Sequence, residues 1–456
     1  MQLVAYGAQD IYLTGNPQIT FFKIVYRRHT NFALESIEQT FNGNPGFNKR
    51  VTCTVSRNGD LIHKTYLRVT LPAVTIEKGS ADVGFRWLDW IGHVLIKTVE
   101  IEIGGQRIDK HYGEWLHIWN ELTQTAGHAL GYANMVGNVP ALTGLTTVTA
   151  AGSVSSTTVP SKTLYIPLQF WFCRNPGLAL PLIALQYHEI KINIEFRDIK
   201  DCYWAGTKSS GAWTTNLSAV TVQDFNASLF IDYVYLDTEE RRRYAQVAHE
   251  FLIDQLQFTG DESTSSTSNK IKLNFNHPTK ELVWVVQNQE YISDGAANIA
   301  AFQGKQWFNW TDTWEAKATS FGASNYVDDL ASGGFSGAYG LITSSGNNPV
   351  SIARLQLNGH DRTQDRDGDY YNLVQPYQHH TNIPSSGVNV YSFALRPEEH
   401  QPSGTCNMSR IDSAVLNMTL RQGAIPSSGQ VNVKVFAVNY NVLRLMSGMG
   451  GLAYAN

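Results

Sequence analysis

The sequence is poor in charge. Only 16% of its residues are Asp, Glu, Lys or Arg, and the formal net charge is -4, so most of the surface must be neutral polar. That suits a chain packed against neighbours and argues against a dedicated nucleic-acid binder, which would carry a basic surplus. Cysteine is scarce too. Cys53, Cys173, Cys202 and Cys406 are far apart and form no CxxC pair. Four dispersed cysteines in so long a chain cannot make a disulfide framework, and they point to a reducing compartment. Long apolar runs are missing: the most apolar stretch, Gly177–Leu185, is short and interrupted by Pro181, too little to span a bilayer. No basic segment followed by an apolar one opens the chain, so no signal peptide is visible and synthesis in the cytosol is expected.

Local catalytic signatures are absent as well. There is no GxxxxGKS/T, no GxSxG, no HExxH, and no GxGxxG between a strand and a helix. Asp361–Asp369 (DRTQDRDGD) looks like a calcium loop. Placing Gly368 at its sixth position, however, puts Val374 at the twelfth, where a bidentate Glu belongs; a charged turn between strands is expected instead. His379 and His380 are adjacent, point in different directions, and are expected at a surface or interface. No pair of carboxylates is singled out for glycosidase chemistry. The chain is expected to be no enzyme and to hold no cofactor and no metal.

What the sequence does have is β-structure. Hydrophobic residues reach 43% over 456 positions, enough for large cores but too long for one sandwich, so two β-domains are expected. Strand patterns run over Phe32–Phe41, Arg50–Ser56, His63–Leu71, Val94–Ile103, Thr163–Leu168, Glu189–Phe196 and Ala227–Leu236. His111–Gln124 reads as a helix with Trp115, Leu116, Trp119 and Leu122 on one side, and Thr143–Ser161 as a long polar loop.

The second half repeats the first. Ser36–Gly43 (SIEQTFNG) resembles Leu252–Gly260 (LIDQLQFTG), Val99–Asp109 (VEIEIGGQRID) resembles Ala353–Arg362 (ARLQLNGHDR), and Ser228–Asp237 (SLFIDYVYLD) resembles Asn432–Asn441 (NVKVFAVNYN). Matches in the same order argue for a tandem duplication. With seven or eight strands and some long connections per copy, a Greek-key sandwich such as a jelly roll is expected. The division expected is an arm over 1–28, a first sandwich over 29–237, and a second over 238–456 that begins with a short helical joint at 238–246. There Asp237 and Glu240 have capping-box spacing, and Glu239 and Arg243 are set for an i,i+4 pair.

Three further groups stand out. Lys23, Arg27 and Arg28 put a small basic patch on the arm, either a solvated face or a contact with an acidic partner or membrane surface. Phe302–Trp314 (FQGKQWFNWTDTW) concentrates Trp307, Trp310 and Trp314 in one loop. Exposed, these rings would form a platform for sugar or a partner; otherwise they pack the loop onto its own domain or a neighbouring subunit. The platform would make the chain a carbohydrate-binding or carbohydrate-active jelly roll. Asn216, Asn309 and Asn407 open N-x-S/T triplets, as do Asn226 and Asn417 in or beside strands. Finally, the glycine-rich Gly448–Gly451 predicts a tight turn after the last strand.

Several longer blocks carry a family likeness. They include AYGAQDIYLTGNPQITFFKIVYRRHTNFALESIEQTF, IGGQRIDKHYGEW, PGLALPLIALQYHEIKI, FNHPTKELVW, QPSGTCNMSRID and NYNVLRLMSGMGGLAYAN. Together they resemble the major capsid protein of large icosahedral double-stranded DNA viruses, nearest to its algal, chlorella-virus-like branch. The likeness implies an all-β fold of two tandem eight-stranded antiparallel jelly-roll sandwiches, a double jelly roll with short helices in the connecting loops. It also implies a homotrimer of pseudo-hexagonal outline that tiles the capsid with neighbouring capsomers, and assembly in the host cytoplasm. Minor capsid proteins and an internal viral membrane would lie beneath, near the arm residues Lys23, Arg27 and Arg28. Outward loops are often glycosylated in such relatives, which makes Asn216, Asn309 and Asn407 candidate acceptors. No specific nucleic-acid contact is expected.

Overall fold

Alternation builds the strands. In Leu61–Leu71, Leu67, Val69 and Leu71 are buried while Lys64, Tyr66, Arg68 and Thr70 face outward, the period-two pattern of a strand with one packed face. The computed structural model describes residues 29–293, 304–313, 346–426 and 429–454. The arm expected over 1–28, with Lys23, Arg27 and Arg28, lies outside the described residues, and so does Trp314.

Eight principal strands occupy the first half: β1 (Phe32–Gln39), β2 (Arg50–Thr54), β3 (Leu61–Leu71), β4 (Ile96–Ile103), β5 (Gln106–Tyr112), β6 (Lys162–Pro167), β7 (Ile190–Phe196) and β8 (Asn226–Leu236). They form two antiparallel sheets, ordered β1-β8-β3-β6 and β2-β7-β4-β5. First pairs with last, second with seventh, third with sixth and fourth with fifth, which is the nested wrapping of a jelly roll. The second half contributes β9 (His249–Thr264), β10 (Ser268–Lys272), β11 (Pro278–Asn288), β12 (Val350–Leu357), β13 (His360–Asp361), β14 (Asn389–Ser392), β15 (Ala414–Leu420) and β16 (Val431–Met446). Their sheets run β9-β16-β11-β14 and β10-β15-β12-β13. Adding eight to each strand number of the first sandwich reproduces the second. The fold is a double jelly roll.

The likeness extends to single residues. The β4–β5 hairpin turns through Gly104 and Gly105 at φ 59° and 83°, and the β12–β13 hairpin through Asn358 and Gly359 at φ 52° and 78°. Two central residues with positive φ make the tight turn that matches the twist of the flanking strands. The turn expected over Gly448–Gly451 falls earlier and is of the same kind: Ser447 and Gly448, at φ 55° and 79°, lie between the paired Met446 and Met449, and Met449–Leu452 is itself a short strand against β16.

Some expectations need correction. Thr143–Ser161 is not wholly loop. Thr146–Val148 joins a four-stranded sheet with Asp82–Trp87, Tyr203–Ser209 and Ala212–Thr215, and Ser156–Val159 pairs with Val74–Glu77. Its β-branched Thr and Val residues favour strands, and Val148 and Val159 are buried. The helix is α1 (Gly113–Thr123), and Leu116 does not share a face with the tryptophans. Leu116 packs into the first sandwich, while Trp115, Ile118, Trp119 and Leu122 pack against the second. Between β8 and β9 lies α2 (Thr238–Gln246), where the Asp237 side chain makes no capping bond; its carbonyl accepts from the Arg241 amide instead. Arg241 reaches Asp60 of the first sandwich at 3.0 Å, and Glu239 pairs with Arg242 rather than Arg243. Helix-to-sandwich contact outweighs the local pairing.

Each sandwich has its own core, and a third apolar cluster joins them. There α1 lies on the outer face of the β9-β16-β11-β14 sheet, against Val283, Val285, Val390, Phe436 and Val438. Trp119→Ala removes a buried indole from this joint and is expected to cost about 3–5 kcal/mol. Chemical denaturation of the purified protein checks it. A loss no larger than that of an exposed substitution such as Val154→Ala would show that the joint contributes little.

Candidate functional site

The joint is not purely apolar. Glu114, in the first turn of α1, receives Arg197 Nη2 at 2.8 Å and Lys434 Nζ, from β16, at 3.4 Å. Burial alone would push this carboxyl up, but Lys434 and Arg197 outweigh it and hold it at about 2. A buried carboxylate shared by two cations is tolerated because each charge is compensated, and removing one partner would strand the others. Because Arg197 follows β7 and Lys434 belongs to the other sandwich, the triad fixes both sandwiches to α1.

A second polar chain crosses at the other end of α1. Glu121 Oε2 accepts from the Ser385 amide at 3.0 Å and its hydroxyl at 2.6 Å, and Asn382 Nδ2 donates to the Glu121 carbonyl at 2.9 Å. His117 Nε2 lies 2.9 Å from Glu121, and His117 Nδ1 lies 3.3 Å from His93 Nδ1, whose other nitrogen meets the Tyr132 hydroxyl at 2.7 Å. Burial, with His117 beside it, pushes His93 well below the ordinary histidine range. A cavity of about 620 Å³ opens where the sandwiches meet, lined by Lys64, Tyr66, Trp119, His128, Arg174 and Glu398 among others.

The aromatic loop belongs to this joint. Phe308 stacks on His117 with ring centres 4.2 Å apart, and Trp310 is 1% exposed. Trp307 is half-buried; its Nε1 donates to the Asp201 carbonyl at 2.9 Å, and the Arg197 guanidinium lies 4.1 Å from its ring. The platform reading therefore fails for Trp310, which is sealed in the core, and Trp307 is held against the first sandwich. Asn309 is buried too. Its Nδ2 donates to Gln306 and to the Thr313 carbonyl while its Oδ1 accepts from Thr311, so a glycan has no room and no free amide there. Asn216 and Asn407 are exposed. The acidic segment is a charged turn in which Arg354 approaches Asp361 and Asp365 at 3.6 and 3.5 Å. Among the described residues, no group of three or more His, Cys, Asp or Glu could hold a metal.

His380 is the residue the sequence reading misplaced. Its side chain is fully buried, with Nε2 2.9 Å from Glu281 and Nδ1 2.9 Å from Glu398. Glu281 lies on β11 and Glu398 in a turn, and such a pair cannot be matched to a histidine by spacing alone. The same holds for the Glu114 triad; the only sequence signal was acidic residues set into the apolar stripe of α1.

Comparison with known proteins decides the identity of this architecture. The family model for the major capsid protein N-terminus matches residues 20–237, and that for the large eukaryotic DNA virus major capsid protein matches residues 240–451. The chain belongs to the large eukaryotic DNA virus major capsid proteins. Among relatives, it is 54% identical to the major capsid protein of Pyramimonas orientalis virus and 52% identical to that of Phaeocystis pouchetii virus, each over 100% of this chain and 99% of the relative. A chain of the PBCV-1 virus capsid is 35% identical and superposes with a TM-score of 0.70, covering 96% of this chain and 100% of that one. The Faustovirus major capsid protein, at 14% identity and a TM-score of 0.73, shares the fold. A capsid protein of this family builds the shell of the virion and is not an enzyme. The comparisons support no carbohydrate-active role.

Stability should follow the charge on His380. Burial disfavours the cation, but Glu281 and Glu398 outweigh it and raise the group from 6.5 to about 9. A raised folded value means the stabilisation is complete below pH 6.5 and is lost as the pH rises through about 9. Thermal melts are expected to show wild-type stability declining over that interval, with a flatter profile for His380→Gln. Identical profiles for the two proteins would refute the assignment.

Proposed function

We propose that three copies of this capsid protein associate into a pseudo-hexagonal capsomer, each chain supplying two of six similar sandwiches, and that these capsomers tile an icosahedral shell. The observation that carries this reading is the identity of strand order in the two sandwiches. Two equivalent wedges per chain let a threefold assembly fill a hexagonal lattice position. The apolar joint and the Glu114 triad support a fixed angle between them, as a repeating lattice requires. Many weak lateral contacts then add up through multivalency while each remains reversible.

We propose the division as an arm over 1–28, a first sandwich over 29–237 and a second over 238–456, with α2 linking the two. In this reading the arm, with Lys23, Arg27 and Arg28, lies on the inner face near minor capsid proteins and an internal membrane. Asn216 and Asn407 are the exposed acceptors for outward glycans, and assembly takes place in the host cytoplasm.

Two measurements test the proposal. Native mass spectrometry of the purified protein at micromolar concentration is expected to give three times the chain mass, plus any attached sugar; a monomer would contradict it. In intact particles, protease is expected to leave 1–28 uncut until the shell is disrupted. Early cleavage there would place the arm outside.

A further inference from the structure

The intrachain joint contains a rule that the chain can use twice. In the first sandwich, α1 follows the β4–β5 hairpin and lays Trp115, Ile118, Trp119 and Leu122 on the outer face of the second sandwich's β9-β16-β11-β14 sheet. The equivalent hairpin of the second sandwich, β12–β13, also leads into a helical segment, a π-helical turn at Tyr370–Val374 continuing as an α-helix over Gln375–His379. Here, among the described residues, apolar side chains are left partly or largely uncovered. Leu373 is 45%, Val374 39% and Tyr377 77% exposed, and Leu395 beside this segment is 72% exposed. Their spacing of i, i+1 and i+4 places them on one side of the helix, as Ile118, Trp119 and Leu122 are on α1.

The matching sheet is open over part of its outer face; at one end Leu61 and Val234 are covered by Ala179 and Tyr244. The outer face of β1-β8-β3-β6, counterpart of the face that α1 covers, presents Phe32 and Leu34 on β1, Tyr66 on β3 and Tyr165 on β6. Phe32 is 53%, Leu34 60% and Tyr165 42% exposed. Among the described residues, the chain thus makes one helix-on-sheet contact internally and leaves both halves of a second, equivalent contact partly uncovered.

We infer that the helical segment Tyr370–His379 of one copy docks on the outer face of the β1-β8-β3-β6 sheet of the next copy, repeating between chains the contact that α1 makes within one. This rests on the trimer proposed above and names its interface. The occupant is a second copy because the chain already contains one filled example of the same pairing, built from the same positions of the same fold. The contact joins different surfaces on its two sides, so it must close into a ring to leave no unpaired ends. Closure after three chains uses every helix and every face once.

The test uses the full-length protein in two variants, Leu373→Glu/Tyr377→Glu on the helix and Leu34→Glu/Tyr165→Glu on the sheet. All four residues are exposed, so both variants are expected to keep the wild-type circular dichroism spectrum, while melting lower than the wild type because they lose the stabilisation that association gives. Native mass spectrometry should show a wild-type trimer and each variant alone as a monomer. An equimolar mixture should give a one-to-one heterodimer, because only one intact helix and one intact face remain to meet. A variant that stays trimeric while the wild type is a trimer would overturn this interface yet leave the trimer standing, whether that face is covered by the chain's own residues 1–28 or stays bare. A monomeric wild type would remove both. Should either variant fail to fold, hydrogen exchange of the wild type decides: amides in 370–379 and 32–39 must exchange more slowly in the trimer than in monomer obtained by dilution, and unchanged rates would refute the docking.

Discussion

The structure depends on one contact, the packing of a single helix across two sandwiches. α1 is buried on all sides, giving Leu116 to the first core and its two tryptophans to the second sheet. Burial of this kind is non-directional and strong, so it would hold the sandwiches together without fixing their angle. Direction comes from the polar groups at the ends of α1. Glu114 is held by Arg197 and Lys434 at one end, and Glu121 is held by Ser385 at the other. Two separated polar clamps on one apolar helix leave little freedom to rotate or slide.

Other elements reinforce the same joint from the second half of the chain. The aromatic loop sends Phe308 and Trp310 into it, Phe308 stacked on His117 and Trp310 tilted beside it. The C-terminal hairpin docks on the first sandwich, where the Tyr187 amide donates to the Gly448 carbonyl at 2.9 Å and His188 contacts Gly450. Ile253, Leu443 and Leu445, near the ends of β9 and β16, join the first core. A shell protein gains from this arrangement, since lateral contacts repeated over a lattice amplify any error in the angle between its two wedges.

How much of this was legible from residues alone follows from the range of each interaction. Strands with period-two alternation, such as β3, and hairpins marked by Gly104-Gly105 and Asn358-Gly359 are local and were readable. So was the duplication, because strand order repeats along the chain. Helix α1 was readable as a helix, but Leu116 was assigned to the wrong side because α1 is buried on all sides and its partner surfaces are remote. The burial of His380 and of Asn309 was hidden for the same reason: Glu281 on β11 and Glu398 in a turn approach His380, while Asn309 reads as an ordinary sequon until its loop is folded. Thr143–Ser161 looked like loop because Ser and Gly interrupt its two short strands.

The central claim is that two equivalent sandwiches, locked at one angle, supply two of six wedges in a threefold capsomer. Cryo-electron microscopy of the purified assembly tests it most directly. The account predicts class averages with six similar lobes in a hexagonal outline and true threefold symmetry, with the two lobes of each chain at one constant angle. Isolated two-lobed particles, or lobes whose angle varies from particle to particle, would contradict it.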